Sequence, residues 1–402
     1  MPPDKKILTF NTGSSSIKFA LYMIGKEEQL VFSGSLTKIG QPEGRCLVND
    51  REGKILANER IVVPDHAAAC RYLFSWLESE FADRKPDAVG HRMVHGGPLY
   101  FTPQPVTPEL LTSLDALSPY APQHLPPALD ALRCAVKLFP AAFQVTCFDT
   151  SFHSAMPPIA KLYALPESIR NRGVQRYGFH GLSYEYILGE LVRLEGPTIM
   201  KERIIIAHLG HGASMAAVKE GRSIETTMGF SPAGGLVMST RTGDLDPGVI
   251  LFLLEEGVLS PQEIKVMVTR RSGLLGVSAR SGDMRELLAA EQSDSSARDA
   301  VELFCYQARK YIGALSVVLG GLDRVVFSGG IGENSTEIRY RLCQGLEFLG
   351  IRVDGRKNRN NKADLTDENG TVKISVIKTN EELMIARHTM TLLRAMRPEQ
   401  RG

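Results

Sequence analysis

The stretch Ile7-Leu8-Thr9-Phe10-Asn11-Thr12-Gly13-Ser14-Ser15-Ser16-Ile17-Lys18-Phe19-Ala20-Leu21 changes character twice. Residues 7–10 read as a buried strand, a polar turn at 11–16 breaks it, and Ile17, Phe19 and Leu21 alternate with other residues as a second strand should. The same order returns in the other half of the chain. There Ile204-Ile205-Ile206-Ala207 leads through His208-Leu209-Gly210-His211-Gly212-Ala213-Ser214 into a second apolar run that ends before Gly221. Two such hairpins predict a duplicated α/β architecture. A third strand, at 324–328, runs into Gly329-Gly330-Ile331-Gly332-Glu333-Asn334, and helical periodicity follows Ser335. A strand-glycine-helix junction of this kind is a common place for nucleotide in α/β proteins. Residues 300–319 carry Val301, Phe304, Cys305, Ala308, Ile312 and Leu315 at helical spacing and predict a core helix. Residues 354–371 are polar and predict a solvated loop or hairpin. Leu383, Ala386, Met390 and Leu393 form a terminal apolar stripe that predicts a helix packed on the N-terminal domain. Arg394 and Arg397 suit the dipole at its C-terminal end.

The chain has 402 residues, enough for two or more ordinary domains. Its 43% hydrophobic and 23% charged content is that of a globular protein, and the 37 Gly and 22 Pro form no low-complexity tract. A formal net charge of +2 is too mild to point to nucleic acid. The six cysteines show no C-x-x-C pair and no zinc spacing, and they read as reduced thiols. The N-terminus runs straight into a strand with no signal-peptide pattern, and no apolar run is long enough for a bilayer. These features predict a cytoplasmic protein with neither a membrane nor a nucleic acid as partner.

Chemistry gathers in a few segments. The turn at 11–16 with Lys18 offers backbone N–H groups, serine hydroxyls and an ammonium, all suited to phosphate oxygens. It is not a Walker A loop, since no G-K-[ST] occurs and a strand, not a helix, follows. Further segments are dense in Gly, Arg, His and Asp: Gly90-His91-Arg92-Met93-Val94-His95, Phe148-Asp149-Thr150, Arg176-Tyr177-Gly178-Phe179-His180-Gly181, and Ser239-Thr240-Arg241-Thr242-Gly243-Asp244-Leu245-Asp246. Arginines among glycines suit close backbone approach and a planar anion. Each residue taken singly also has a structural reading. Arg241 could pair with Asp244 or Asp246, and His91, His95 and His153 could be buried hydrogen-bonders.

Taken in order, these blocks resemble the acetate kinases: the run from Asn11 to Phe19, then the segments around Arg92, Asp149, His180, Gly210, Arg241 and Gly332, and Thr379-Asn380-Glu381-Glu382. The resemblance covers nearly the whole chain. It implies the two-domain fold of acetate and sugar kinases, Hsp70 and actin, a ribonuclease H-like α/β fold with a duplicated mixed-sheet core and an interdomain cleft. It divides the chain into an N-terminal domain at 1–150, completed by a helix at 385–402, and a nucleotide-binding domain at 151–384. It also implies a homodimer, ATP and a short carboxylate as substrates, and magnesium (or manganese) as the metal. Carried over by position, Asn11 and Glu381 would hold the metal, with Ser14, Ser16 and Lys18 near the phosphates. His208, Leu209, Gly210, His211 and Gly212 would also hold phosphate. Asp283, Met284, Arg285, Gly330, Ile331, Gly332, Glu333 and Asn334 would enclose the nucleoside. Arg92 and Arg241 would clamp the carboxylate and the transferring phosphoryl, with a hydrogen bond from His180, and Asp149 would be an essential acid that organises metal, water or arginine. Val94, Phe179 and Pro232 would form the apolar acyl pocket. A carboxylate acceptor is ionised at neutral pH, so direct in-line transfer needs alignment and positive charge and no general base.

The chain departs from the family pattern at Gln123, Leu125, His211 and Gly234, where an apolar residue, Asn, Asn and Glu are usual. Propionate or butyrate is the nearest alternative acceptor, and an Hsp70- or actin-like ATPase module is the alternative of another class. Phosphate beside His211 favours a protonated imidazole near neutral pH, and a neutral imidazole hydrogen-bonded within the turn is the alternative reading.

Overall fold

A computed structural model describes residues 4–13, 15–81 and 85–396. The chain forms two compact units, the first running to Ser151 and resuming at Asn380, the second covering Phe152–Thr379. In the first unit an eight-stranded sheet has the order β5-β4-β3-β2-β1-β6-β8-β7. Its strands are β1 (Lys5–Thr12), β2 (Ser16–Ile24), β3 (Glu28–Thr37), β4 (Gly44–Asp50), β5 (Ile55–Ile61), β6 (Ala88–Met93), β7 (Gln104–Pro105) and β8 (Phe143–Phe148). Strands β1 to β5 form an antiparallel meander, while β1, β6 and β8 run parallel. The central strand β1 is buried continuously from Ile7 to Thr12, as expected of a strand covered on both faces.

The alternation of β1 sorts its side chains between two cores. Leu8 and Phe10 join Phe19, Phe32 and Val89 beneath the helix His66–Phe81, whose Cys70, Leu73, Phe74 and Leu77 face them. Ile7 lies with Ala20, Tyr22, Ala88, Ala386 and Met390 on the other face. Ala386 and Met390 belong to the C-terminal helix, Glu381–Ala395, which packs across β1, β6 and β8. Gly90 permits that approach: a Cβ there would lie 2.3 Å from Thr389 Oγ1 and 2.5 Å from Ile385 Cγ2. The helix begins at Glu381, two residues before the first residue of the stripe, because Asn380 caps it by accepting from the Leu383 N–H at 2.9 Å, and Glu381 and Glu382 occupy the first turn. Residues 397–402, including Arg397, lie outside the described residues.

The second unit repeats the pattern. Its strands are β9 (Ile204–Leu209), β10 (Ala213–Lys219), β11 (Arg222–Thr226), β12 (Arg324–Ser328) and β13 (Lys373–Val376), in the order β11-β10-β9-β12-β13. An antiparallel meander again passes into a parallel trio, so β9 stands where β1 stands in the first sheet and β12 stands where β6 does. The duplication expected from the two hairpins is thus present in the topology. Helix Gly181–Glu195 covers one face through Tyr184, Ile187 and Leu191 against Ile204, Ile206 and Val326. The core helix extends over Ser295–Leu319 and buries the stripe from Val301 to Leu315. Residues 354–371 are less irregular than expected, since Asp354 caps a short helix, Gly355–Arg359, and Val353 bridges Thr366.

Candidate active site

In the first unit the site grows from the C-terminal ends of three adjacent parallel strands, where open α/β sheets commonly bind ligands. Asn11 lies near the end of β1, Arg92 near the end of β6, and Asp149 directly after β8. The Arg92 guanidinium donates from Nε to Asp149 Oδ1 at 2.9 Å and from Nη2 to Oδ2 at 2.5 Å, a bidentate pair. Its Nη1 donates to Asn11 Oδ1 at 3.0 Å. Asn11 Nδ2 then donates to Glu381 Oε2 at 2.8 Å and Glu382 Oε1 at 3.0 Å, and Glu381 Oε2 also lies 3.9 Å from Arg92 Nε. Burial opposes the charge on Arg92, but Asp149, Glu381 and Glu382 outweigh it and raise its pKa. Asp149 is only 1% exposed and uses both oxygens on the arginine. Its geometry is that of an arginine organiser.

The phosphate-type turn in this unit is held from behind. Gly13 N–H donates to Ser16 O at 2.8 Å, and the His66 imidazole donates from Nε2 to Gly13 O at 2.9 Å. Ser16 is half-buried and Lys18 exposed, while Ser14 lies outside the described residues. Val94 is buried just beyond β6. His91 is a core residue: stacked on Phe10 and bonded to Gln144 at 2.8 Å, it has its pKa pushed down to about 4, chiefly by burial.

In the second unit the turn from His208 to Gly212 joins β9 to β10 and closes on itself, Gly210 N–H donating to Gly212 O at 3.0 Å. A Cβ on Gly212 would lie 3.3 Å from His180 Nε2 and 3.5 Å from Arg241 Nη1. Two side-chain donors thus meet at one backbone turn. A Cβ on Gly210 would lie 3.6 Å from the Gly330 nitrogen and 3.9 Å from His208 Nε2, so the second turn and the strand-glycine-helix junction are neighbours. Arg241 Nη1 also donates to Pro232 O at 3.0 Å. Of the aspartates considered as partners for Arg241, Asp244 accepts from Gly235 N at 2.9 Å and bonds the Tyr311 hydroxyl, and Asp246 caps the helix Pro247–Glu255. His180 has φ 59°, a left-handed conformation uncommon for a residue with a side chain. Buried His153 supports it by donating from Nε2 to Phe179 O at 2.9 Å.

Beside this turn a cavity of about 850 Å³ is lined by Gly210, His211, Asp283, Met284, Arg285, Gly330, Ile331 and Asn334 among the expected residues. Ser239, Thr240, Gly282, Leu288, Ser335, Thr336 and Glu337 complete the wall and were not singled out as nucleotide contacts. Only the adjacency of Ser239 and Thr240 to Arg241, and of 335–337 to the glycine run, signalled them. Four expected nucleotide or phosphate residues take other places. Leu209 is fully buried in the core, and His208 donates or accepts at Ser183 Oγ (2.8 Å) and stacks on His180. Gly332 packs over Phe327, and the Glu333 carboxylate accepts from Gly329 N at 2.9 Å and Thr379 N at 3.0 Å. Glu333 therefore braces the junction from inside, since it satisfies the first backbone donor of the short helix Gly329–Asn334 and ties it to Thr379. The His211 imidazole has a lowered pKa through burial first and the Arg241 charge second, with Asp283 opposing. Burial and the guanidinium thus oppose the protonation that phosphate beside His211 would favour.

The family model of the acetokinase family matches residues 6–387. The chain belongs to the acetokinase family. Membership makes it a phosphotransferase. An acetate kinase of Rhodopseudomonas palustris (strain TIE-1) is 43% identical over 391 residues, covering 96% of this chain and 98% of that protein. Among solved structures, Porphyromonas gingivalis acetate kinase is 36% identical with a TM-score of 0.85, over 97% of this chain and all of that one (100%). A propionate kinase from Francisella tularensis subsp. tularensis is 34% identical with a TM-score of 0.88, over 96% and 99% of the two chains. The acetokinase likeness thus spans both units, including the segments that carry Asn11, Arg92, Asp149, His180, Arg241 and Glu381.

Proposed function

We propose that the protein phosphorylates acetate reversibly with ATP by direct in-line transfer. The observation that carries this reading is the meeting of His180 Nε2 and Arg241 Nη1 at Gly212, beside a cavity of nucleoside size. A transferring phosphoryl group spreads negative charge over its oxygens, and fixed donors aimed at those oxygens lower the barrier without any proton transfer. Arg92, aligned by Asp149 and Asn11, supplies a second planar donor for a carboxylate or phosphoryl oxygen. Val94, Phe179 and Pro232 are assigned to the acyl methyl, and the nucleoside to the cavity between the glycine junction and Asp283-Met284-Arg285. One methylene in an apolar pocket is worth only about 1–3 kcal/mol. The kcat/KM series over acetate, propionate and butyrate tests the acceptor: acetate is expected to lead, and a lead for propionate would shift the assignment to a propionate kinase. The place of action is proposed to be the cytoplasm; no described helix is long and apolar enough to cross a membrane.

The donor set around Asn11 suits magnesium. Three carboxylates, Asp149, Glu381 and Glu382, and one carboxamide surround Arg92, all of them hard oxygen donors, while among the described residues no group of three or more His, Cys, Asp or Glu could hold a metal ion by itself. That fits an ion held by one or two protein oxygens plus substrate phosphates and water. Asn11 and Glu381 are the proposed ligands, and the bound ion would neutralise phosphate charge. Glu381→Ala is expected to raise the magnesium concentration for half-maximal rate more than it raises the KM for acetate. The reverse ranking would remove Glu381 from the metal shell.

His211 enters this reading as a neutral neighbour of ATP. Burial and the Arg241 guanidinium lower its pKa and so favour the uncharged imidazole. ATP affinities of wild type and His211→Asn are therefore expected to run parallel from pH 8 to about 6.5. A wild-type affinity that climbs as pH falls while that of His211→Asn stays level would restore the protonated reading.

A homodimer is proposed through the helix Pro247–Glu255. Its sequence PGVILFLLE is apolar on nearly every side, yet none of its residues is buried, with Leu251 55% and Phe252 59% exposed. Such a helix normally lies inside a protein, and an exposed patch of this kind marks an interface. A second copy brings the same patch and closes the contact by twofold symmetry. Sedimentation is expected to give a dimer for wild type and a monomer for Phe252→Asp; a wild-type monomer at micromolar concentration would refute the interface.

A further inference from the structure

We infer that Ser214 and Tyr184 are positioning residues that fix His180 as a neutral imidazole with its proton on Nε2, the nitrogen facing Gly212 and Arg241. His180 Nδ1 lies 2.8 Å from Ser214 Oγ, and the same Oγ is bonded by the Tyr184 hydroxyl. Tyr184 and Ser214 are both fully buried, so bulk water does not compete for these bonds. Tyr184 stands one helical turn after His180, and its N–H donates to His180 O at 3.1 Å, which ties ring and phenol to the same turn. Ser214 projects from β10, immediately after the turn that ends at Gly212.

The direction of the relay follows from acidity. A phenol, with a pKa of about 10, is a better donor than an aliphatic hydroxyl, and the serine oxygen is the better acceptor of the two. Tyr184 therefore donates to Ser214 Oγ. The serine proton is then directed at the strongest remaining acceptor in reach, the lone pair of His180 Nδ1. A hydrogen bond at one ring nitrogen decides which nitrogen carries the proton, and here it leaves the N–H on Nε2. His208 stacks on His180 at 4.3 Å between ring centroids and is itself bonded to Ser183, which holds the ring plane while the relay sets its proton. A histidine held this way presents a donor to a phosphoryl oxygen without changing its own protonation state. The unanchored ring would spend part of its time with Nε2 unprotonated, presenting a lone pair to an anion.

This inference rests on the phosphotransfer reading for its kinetic consequence and not for its chemical one. NMR of the ligand-free full-length protein with isotope-labelled histidine, assigned through His180→Gln, reads the tautomer directly. The expected wild-type state is Nε2–H; an Nδ1–H ring overturns the proposal whatever the enzyme does. Ser214→Ala, close to isosteric, is expected to lose the fixed tautomer and lower kcat by on the order of tenfold, a fraction of what losing a whole donor costs, with the KM for ATP nearly unchanged. Ser214→Thr, which keeps a hydroxyl, is expected to restore both tautomer and kcat, and Tyr184→Phe to fall between. A Ser214→Ala protein that retains the wild-type tautomer refutes the relay. Absence of kinase activity with an intact Nε2–H ring would instead refute the functional reading and leave the relay standing.

Discussion

Arg92→Ala is expected to lower kcat by on the order of 10²–10³, the usual loss for one fixed transition-state donor, and to destabilise the fold as well. The guanidinium is held by a bidentate bond to Asp149, which is 1% exposed. Removing it leaves that carboxylate buried beside Glu381 and Glu382, and breaking a buried pair by deleting one partner typically costs about 3–5 kcal/mol. Denaturant unfolding should therefore show a lowered midpoint, in the same variant whose kinetics collapse. Arg92→Lys keeps the charge but not the fork, so stability should recover more than kcat does. A variant with normal kcat and lowered stability would make Arg92 structural only.

Arg241→Ala is expected to match the kinetic loss, on the order of 10²–10³, without the loss of stability. Its Nη1 donates to the Pro232 carbonyl, a neutral acceptor, and the residue is half-buried on a loop. The unfolding free energy should stay within about 1 kcal/mol of wild type, as for most substitutions outside the core. The contrast between the two arginines is itself informative: equal falls in kcat with unequal falls in stability are the signature of a transition-state role common to both. A large loss of stability in Arg241→Ala would show that the loop depends on it.

The hairpins were legible because strands covered on both faces, as β1 and β9 are, read as near-continuous apolar runs, and a polar turn cannot continue either strand. The pairing of those hairpins with strands far away in sequence was not, since nothing local encodes that β6 or β12 lies alongside. The same limit governs the site. Asn11 meets Glu381 across 370 residues, a contact visible only after folding. Glu382 could have been noticed, because it follows Glu381 directly at a capped helix start, but its bond to Asn11 could not. Glu333 was legible only as a carboxylate in a glycine-rich nucleotide segment; that its Oε1 accepts from the Gly329 and Thr379 amides was not. The setting of His211 was not legible, because its burial and its nearness to Arg241, thirty residues further along the chain, arise only on folding. Asp354, likewise, was read as part of a loop although an Asp before Gly355 is a plausible helix cap.

The central claim is transfer of phosphoryl to a carboxylate, and trapping the product tests it most directly. Purified protein is incubated with ATP, magnesium and a panel of short acids in the presence of hydroxylamine, which converts an acyl phosphate to a stable hydroxamate. Hydroxamate is expected to accumulate with acetate, to need both ATP and magnesium, and to fall by on the order of 10²–10³ in Arg92→Ala and Arg241→Ala. Hydroxamate no higher than the acid-free control with every acid tested would contradict it.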